Sequence, residues 1–179
     1  MIQIKNAAEL QKMRKACAIS AAALKAGGEA IEPGITTAEI DKIIYDFIVR
    51  HGARPNFLHL YGFPATACIS VNDTVIHGIP NKQQQIRPGD IVSIDTGCKI
   101  DGFNGDNACT YACGKIDLEA QRLLDVTKES LHRGIEMACG GNRVGDIGHA
   151  VQSYVEENGF SVVRTFVGHG VGKELHEDP

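Results

Sequence analysis

Ile91–Tyr111, IVSIDTGCKIDGFNGDNACTY, reads as a β-hairpin. Pro88-Gly89-Asp90 punctuates its start, apolar side chains recur at Val92, Ile94, Cys98 and Ile100, and Asp101-Gly102 is a favoured two-residue turn. Two acids lie inside it, Asp95 six residues before Asp101 and Asp106 five residues after it. Regular pairing makes them near-opposite, where Cβ atoms stand about 5 Å apart. Two carboxylates that close cannot both stay ionised unless something positive lies between them, and a divalent metal is the simplest answer. The ordinary alternative is a pair of acids facing water. Position argues against it: Asp is depleted in strand interiors, yet Asp95 follows Ile94 mid-strand, and Asp106 adjoins Gly105, where backbone can approach closely. Ile91 shares its phase with Ser93 and Asp95, so the acid-bearing face is mixed and is expected to be covered.

Upstream, Asn6 and Glu9 resemble a capping box that opens a helix from residue 7 to about 26, with Leu10, Met13, Cys17 and Leu24 as its apolar stripe. Pro33-Gly34 breaks the chain. Thr36-x-x-Glu39 opens a second helix that buries Ile40, Ile43, Ile44, Phe47 and Ile48 and stops at Gly52. The aromatic-rich stretch 53–67 reads as a loop, 68–71 as a short strand, Asn72-Asp73 as a turn and 74–77 as another short strand. Downstream, a third helix is predicted over 117–139 with Leu124, Leu131 and Ile135 inside, stopped by Gly140-Gly141. A fourth runs from Val144 to Asn158 and ends at Gly159, and 160–166 returns as a strand.

The chain also aligns with itself. At an offset of 107, Gly34 matches Gly141, Glu39 matches Asp146, Ile40 matches Ile147, Ile44 matches Val151, Phe47 matches Tyr154, Ile48 matches Val155 and Gly52 matches Gly159. Two amphipathic helices share a period by chance, but coincident glycines at both ends favour duplication. A second copy of the hairpin would then fall near residues 198–219, past Pro179, so either the second half departs from the first or the chain is a shortened form.

With 179 residues, 43% of them hydrophobic, the chain is expected to form a single domain (1–179), its first half ending about 115 and its second running from about 116. A net charge of −4 without basic blocks speaks against sequence-independent nucleic-acid binding. The N-terminus has no apolar signal core and no run reaches membrane-spanning length, so a cytoplasmic location with reduced, buried thiols is expected for its six cysteines. Among the histidines, His77 precedes Gly78 at a strand end and His169 sits inside Val167-Gly168-His169-Gly170-Val171-Gly172, with His176 seven residues on. Glycines on both sides of an imidazole suit close approach of a ligand. The same run lacks the G-x-x-x-x-G-K pattern of a phosphate loop.

CISVNDTVIHGIP (68–80), PGDIVSIDTGCKIDGFNGDNACTY (88–111), FSVVRTFVGHGVGKELHEDP (160–179) and the PGITTAEID region together resemble the bacterial-type, type I methionine aminopeptidases. The resemblance implies an α/β pitta-bread fold of two pseudo-two-fold halves, the second incomplete here, and hydrolytic removal of N-terminal methionine. It implies two divalent ions (Co, Mn, Fe or Zn), with Asp95, Asp106 and His169 as ligands and Asp106 bridging. His77 and His176 would act on the scissile peptide from two sides, and Phe57, Leu60, Phe63, Cys68 and Leu175 would shape the methionine pocket. Two further glutamate ligands fall outside residues 1–179, which leaves three of five and an expectation of impaired turnover. Implied partners are nascent polypeptide N-termini and the ribosome, with self-association through an exposed sheet edge. Two other readings stand beside this one: a non-catalytic pitta-bread binding module, and a proline-specific peptidase of the same fold, against which the short N-terminal region argues.

Overall fold

β3 (Ile91–Ile100) is the central strand in the computed structural model, which describes residues 2–178. β4 (Phe103–Ala112) pairs along the whole of one edge; β2 (Ala67–Val71) and the two-residue β1 (Arg54–Pro55) share the other, and every pairing is antiparallel. Ile100 pairs with Phe103 across Asp101-Gly102, both of positive φ, as a tight hairpin turn requires. The ladder is regular, but its register sets Asp95 opposite Ala108 and Asp106 opposite Gly97. The two acids are therefore diagonal neighbours on one face and not opposite each other, because the pairing is centred between Asp101 and Gly102. On the other face Val92, Ile94 and Cys98 are fully buried.

That buried face packs on two helices. α1 (Ala7–Glu29) opens with the Asn6/Glu9 capping box, and α2 (Thr37–Arg50) with the Thr36/Glu39 box. Ile40, Ile44 and Ile48 form one α2 row with no exposed area and join Ile69, Ile86, Val92 and Ile94 in the core, each worth roughly 1.5–3 kcal/mol of burial. α1 runs along β3 and β4 and against α2. Its contact face keeps only Leu24 of the predicted stripe: Leu10 is 40% exposed and Cys17 is exposed, while Ala16, Ser20, Ala23, Leu24, Gly27 and Gly28 are buried. Small residues let the helix backbone lie close to β4, and a hydropathy pattern keyed to large side chains passes over them. Three cysteines, Cys68, Cys98 and Cys113, are buried, whereas Cys17, Cys109 and Cys139 are exposed; all six are free thiols.

Three expected elements differ. Residues 74–77 form no strand, because His77 adopts φ +57 and the returning chain meets β2 only at single bonds such as Ile69 N–H to Gly78 O (2.9 Å). The loop 53–67 contains β1 and a short 3-10 turn at Leu60–Gly62. Residues 160–166 form no strand among the described residues.

These elements, 2–116 with 169–178, make one compact unit; residues 117–168 make a second. In the second, α3 (Leu118–Met137) packs on α4 (Val144–Glu157), burying Val126, Ser130 and Gly134. Leu131 and Ile135, expected inside, are 58% and 59% exposed. The row that meets α4 is the small one, with the Gly134 position close against Val151.

The internal repeat is visible in the backbone. α2 and α4 are both 14 residues long, Gly34 and Gly141 have φ +97 and +99, and Gly52 and Gly159 have φ +73 and +79. Thr36 N–H donates to Glu39 (2.9 Å) as Arg143 N–H donates to Asp146 (2.7 Å). Equivalent turns and one shared cap bond thus flank helices of equal length, although Thr36 also caps α2 with its side chain and Arg143 does not cap α4 in that way. No described helix is long and apolar enough to cross a membrane.

Candidate active site

The acid-bearing face of the hairpin floors a cavity of about 590 Å³. Asp95 and Asp106 rise from β3 and β4, and Cys68 from β2, where it pairs with Asp95. The loop before β2 contributes Phe57, Leu60 and Phe63; the loop after it contributes His77; the segment 169–176 contributes His169, Leu175 and His176. All ten residues singled out in the sequence thus meet at one cavity. Tyr61, Gly62, Pro64 and Ile79 complete its wall; they sit in a single 3-10 turn and in loops, where no periodicity marks an inward-facing side chain.

The carboxylates perturb each other. Burial, then the charge of Asp106 and a hydrogen bond with it, push Asp95 up to about 7, against the pull of His169. Asp106 is also raised by burial, opposed by His169, His176 and the hydrogen bond from Asp95. Both carboxyls are thus raised, as two buried acids this close cannot both hold full charge. Burial, followed by the charges of Asp95, Asp106 and Asp41, pushes the Cys68 thiol up to about 12. Cys68 is therefore a neutral, apolar part of the wall.

His169 is oriented by its own backbone. Its Nδ1 lies 3.0 Å from the Gly170 carbonyl oxygen, which only accepts, so Nδ1 carries a proton. Nε2 then faces Asp106 Oδ2 at 3.8 Å, beyond direct hydrogen-bond reach. The His176 ring meets the His169 ring edge-on, with centroids 4.5 Å apart.

His77 is held in its left-handed conformation by its neighbour. Gly78 N–H donates to the buried Ser70 hydroxyl (3.0 Å), and Ile69 N–H donates to Gly78 O (2.9 Å). A Cβ at residue 78 would lie 2.2 Å from Ile69 O. Only glycine lets the turn sit this close to β2.

Two carboxylates and an imidazole, with no lysine or arginine in the cavity wall, form the mixed oxygen and nitrogen set that suits divalent first-row ions. Among the described residues no three His, Cys, Asp or Glu side chains close into a tight cluster. The donors converge on the cavity without filling it. A carboxyl proton and an imidazole nitrogen held off Asp106 are what a cation would replace and bridge, so the residues fit such an ion.

Residues 11–179 match the profile of metallopeptidase family M24. A methionine aminopeptidase from Clostridium perfringens is 52% identical over 179 residues, covering 100% of this chain and 72% of that protein. The crystal structure of methionine aminopeptidase from Rickettsia prowazekii superposes with a TM-score of 0.97 at 38% identity, covering 100% of this chain and 72% of that one. A prolidase from Pyrococcus furiosus shares the fold (TM-score 0.86) at 24% identity, covering 98% of this chain and 51% of its own. The architecture is accordingly the α/β pitta-bread arrangement common to these enzymes. By its sequence, its fold and the residues gathered over the hairpin, the chain belongs to the methionine aminopeptidases of metallopeptidase family M24.

Proposed function

We propose that this protein removes the N-terminal methionine from newly made polypeptides and peptides by hydrolysis assisted by divalent metal ions. The observation that carries the reading is the convergence of Asp95, Asp106 and His169 with His77, His176 and an apolar wall at one cavity. Asp95 and Asp106 would hold ions, with Asp106 between them, and His169 Nε2 would supply the nitrogen ligand. A bound pair of divalent ions about 3.5–4 Å apart lowers the pKa of water and polarises a carbonyl. Phe57, Leu60, Phe63, Leu175 and the neutral Cys68 thiol offer an unbranched thioether side chain an apolar lining. They also keep bulk water from the reacting bond. His77 and His176 line the same cavity and would donate to the scissile carbonyl as charge develops on it. In the metal-free protein the two acids keep a proton that loading would release, so binding is expected to weaken as pH falls.

Chelator-sensitive release of methionine from a Met-Gly-Ser peptide in the presence of Mn or Co is the expected result. Faster cleavage of Xaa-Pro peptides would favour the proline-specific alternative, which shares only the fold. Release that ignores the chelator would overturn the metal-assisted reading.

Gly78→Ala tests His77 without touching an imidazole. The added methyl would meet Ile69 O, a backbone atom of a buried strand that cannot yield. The turn must move instead. Methionine release is expected to fall by roughly 10²–10³, as when one donor to a developing oxyanion is lost. Activity within a factor of a few of wild type would remove His77 from the reaction.

A further inference from the structure

The segment 169–178 presents two site histidines yet has little secondary structure of its own. A single antiparallel bridge closes it, with Gly170 and Glu177 exchanging N–H···O bonds of 2.8 Å. What fixes it lies elsewhere in the chain. Asn104, 2% exposed on β4, donates from its side chain to the carbonyls of Gly172 and Lys173 (2.9 Å each) and from its backbone to Gly172 (2.8 Å). Lys5, just ahead of α1, pairs with Glu177, and Glu9 in the first turn of α1 pairs with Lys173 (3.0 Å).

The two ion pairs have opposite polarity, so sliding the segment would set like charges together. They are unequal in burial. Lys173 is 56% exposed at its side chain, and such pairs contribute little. Lys5 and Glu177 are 17% and 6% exposed, where removing one partner strands the other charge away from water. Glu177 also accepts from Glu174 N–H (3.2 Å), so the same carboxylate closes the turn that leads into His176.

We infer that Lys5 is a positioning residue: through its ion pair with Glu177, the N-terminal segment locks the 169–178 loop and thereby sets His169 and His176 against Asp106. Lys5 is not among the residues that line the cavity; it acts through Glu177, which adjoins His176. This assignment rests on the reading of His169 and His176 as site residues, whereas its effect on loop order does not.

The experiment compares wild type with Lys5→Met, Lys5→Arg and Glu177→Gln by amide hydrogen exchange and by calorimetric titration with Mn²⁺. Lys5→Met and Glu177→Gln are expected to speed exchange of the Gly170 and Glu177 amides at least tenfold, leave β3 amides unchanged and weaken Mn²⁺ binding about tenfold, the scale of an outer-shell loss. Lys5→Arg, which keeps the charge, should stay near wild type on both readouts. Unchanged exchange at Gly170 and Glu177 in Lys5→Met would overturn the inference. So would acceleration shared equally by β3, the mark of a general stability loss. If wild type itself takes up no Mn²⁺, the metal reading of the site fails, and the exchange data still decide whether Lys5 locks the loop.

Discussion

Asp95→Asn is expected to stabilise the metal-free protein at pH 8 while abolishing its uptake of Mn²⁺. Asp95 is raised to about 7 chiefly by burial and then by Asp106, against an ordinary value of about 3.9. Between these two values the unfolded chain has released its proton and the folded chain has not. Folding stability therefore falls as pH rises through that window, and above about pH 7 the folded state carries the full cost of two buried carboxylates. Asparagine cannot ionise and still donates to Asp106. The variant should match wild type near pH 4 and exceed it by a few kcal/mol at pH 8, at roughly 1.4 kcal/mol per tenfold in the equilibrium. That corresponds to about 5–10 °C in melting temperature. Mn²⁺ binding should fall by more than the roughly 10–100-fold typical of an outer-shell partner. Thermal melts at the two pH values, each with and without Mn²⁺, check both. A variant less stable than wild type at pH 8 would show that the acids are structural and not held apart for a ligand.

Gly105→Ala is expected to be strongly destabilising. A Cβ there would lie 2.5 and 2.6 Å from the Ala16 carbonyl carbon and oxygen and 2.6 Å from Cys17 N. These are main-chain atoms inside α1, with no flexible end to swing aside. Overpacking costs about 1–3 kcal/mol when side chains can adjust, so a loss of about 3 kcal/mol or more in urea denaturation is anticipated. Because Gly105 precedes Asp106 on β4, the displaced strand should also weaken Mn²⁺ binding. A change under about 1 kcal/mol would mean that α1 is free to slide, contrary to its small-residue contact face.

Much of this was legible in the sequence, and the reasons differ by residue. The Asn6/Glu9 and Thr36/Glu39 boxes were readable because a cap is a contact between residues three apart. The Asp101-Gly102 turn was readable because positive φ admits few residue types. The matched glycines 34 and 141, and 52 and 159, foretold matched turns for the same reason. Gathering Phe57, Leu60, His77 and His176 at one cavity was different, since only family resemblance linked those distant segments. Large side chains are a poor guide to the packed faces: Leu131 and Ile135 are exposed, and the α1 and α3 contact faces consist largely of alanine, serine and glycine, with one large apolar residue each, Leu24 and Val126.

By itself, then, the sequence determined the helices, their caps, the hairpin and the presence of paired acids within it, because these follow from sterics and hydrogen bonds among near neighbours. Tertiary structure alone decided the diagonal register of Asp95 and Asp106, the left-handed His77 beside a Gly78 bonded to Ser70, and the tie between Lys5 and Glu177, 172 residues apart. Each of those depends on which distant backbone comes within a few ångströms, and local propensity carries no information about that.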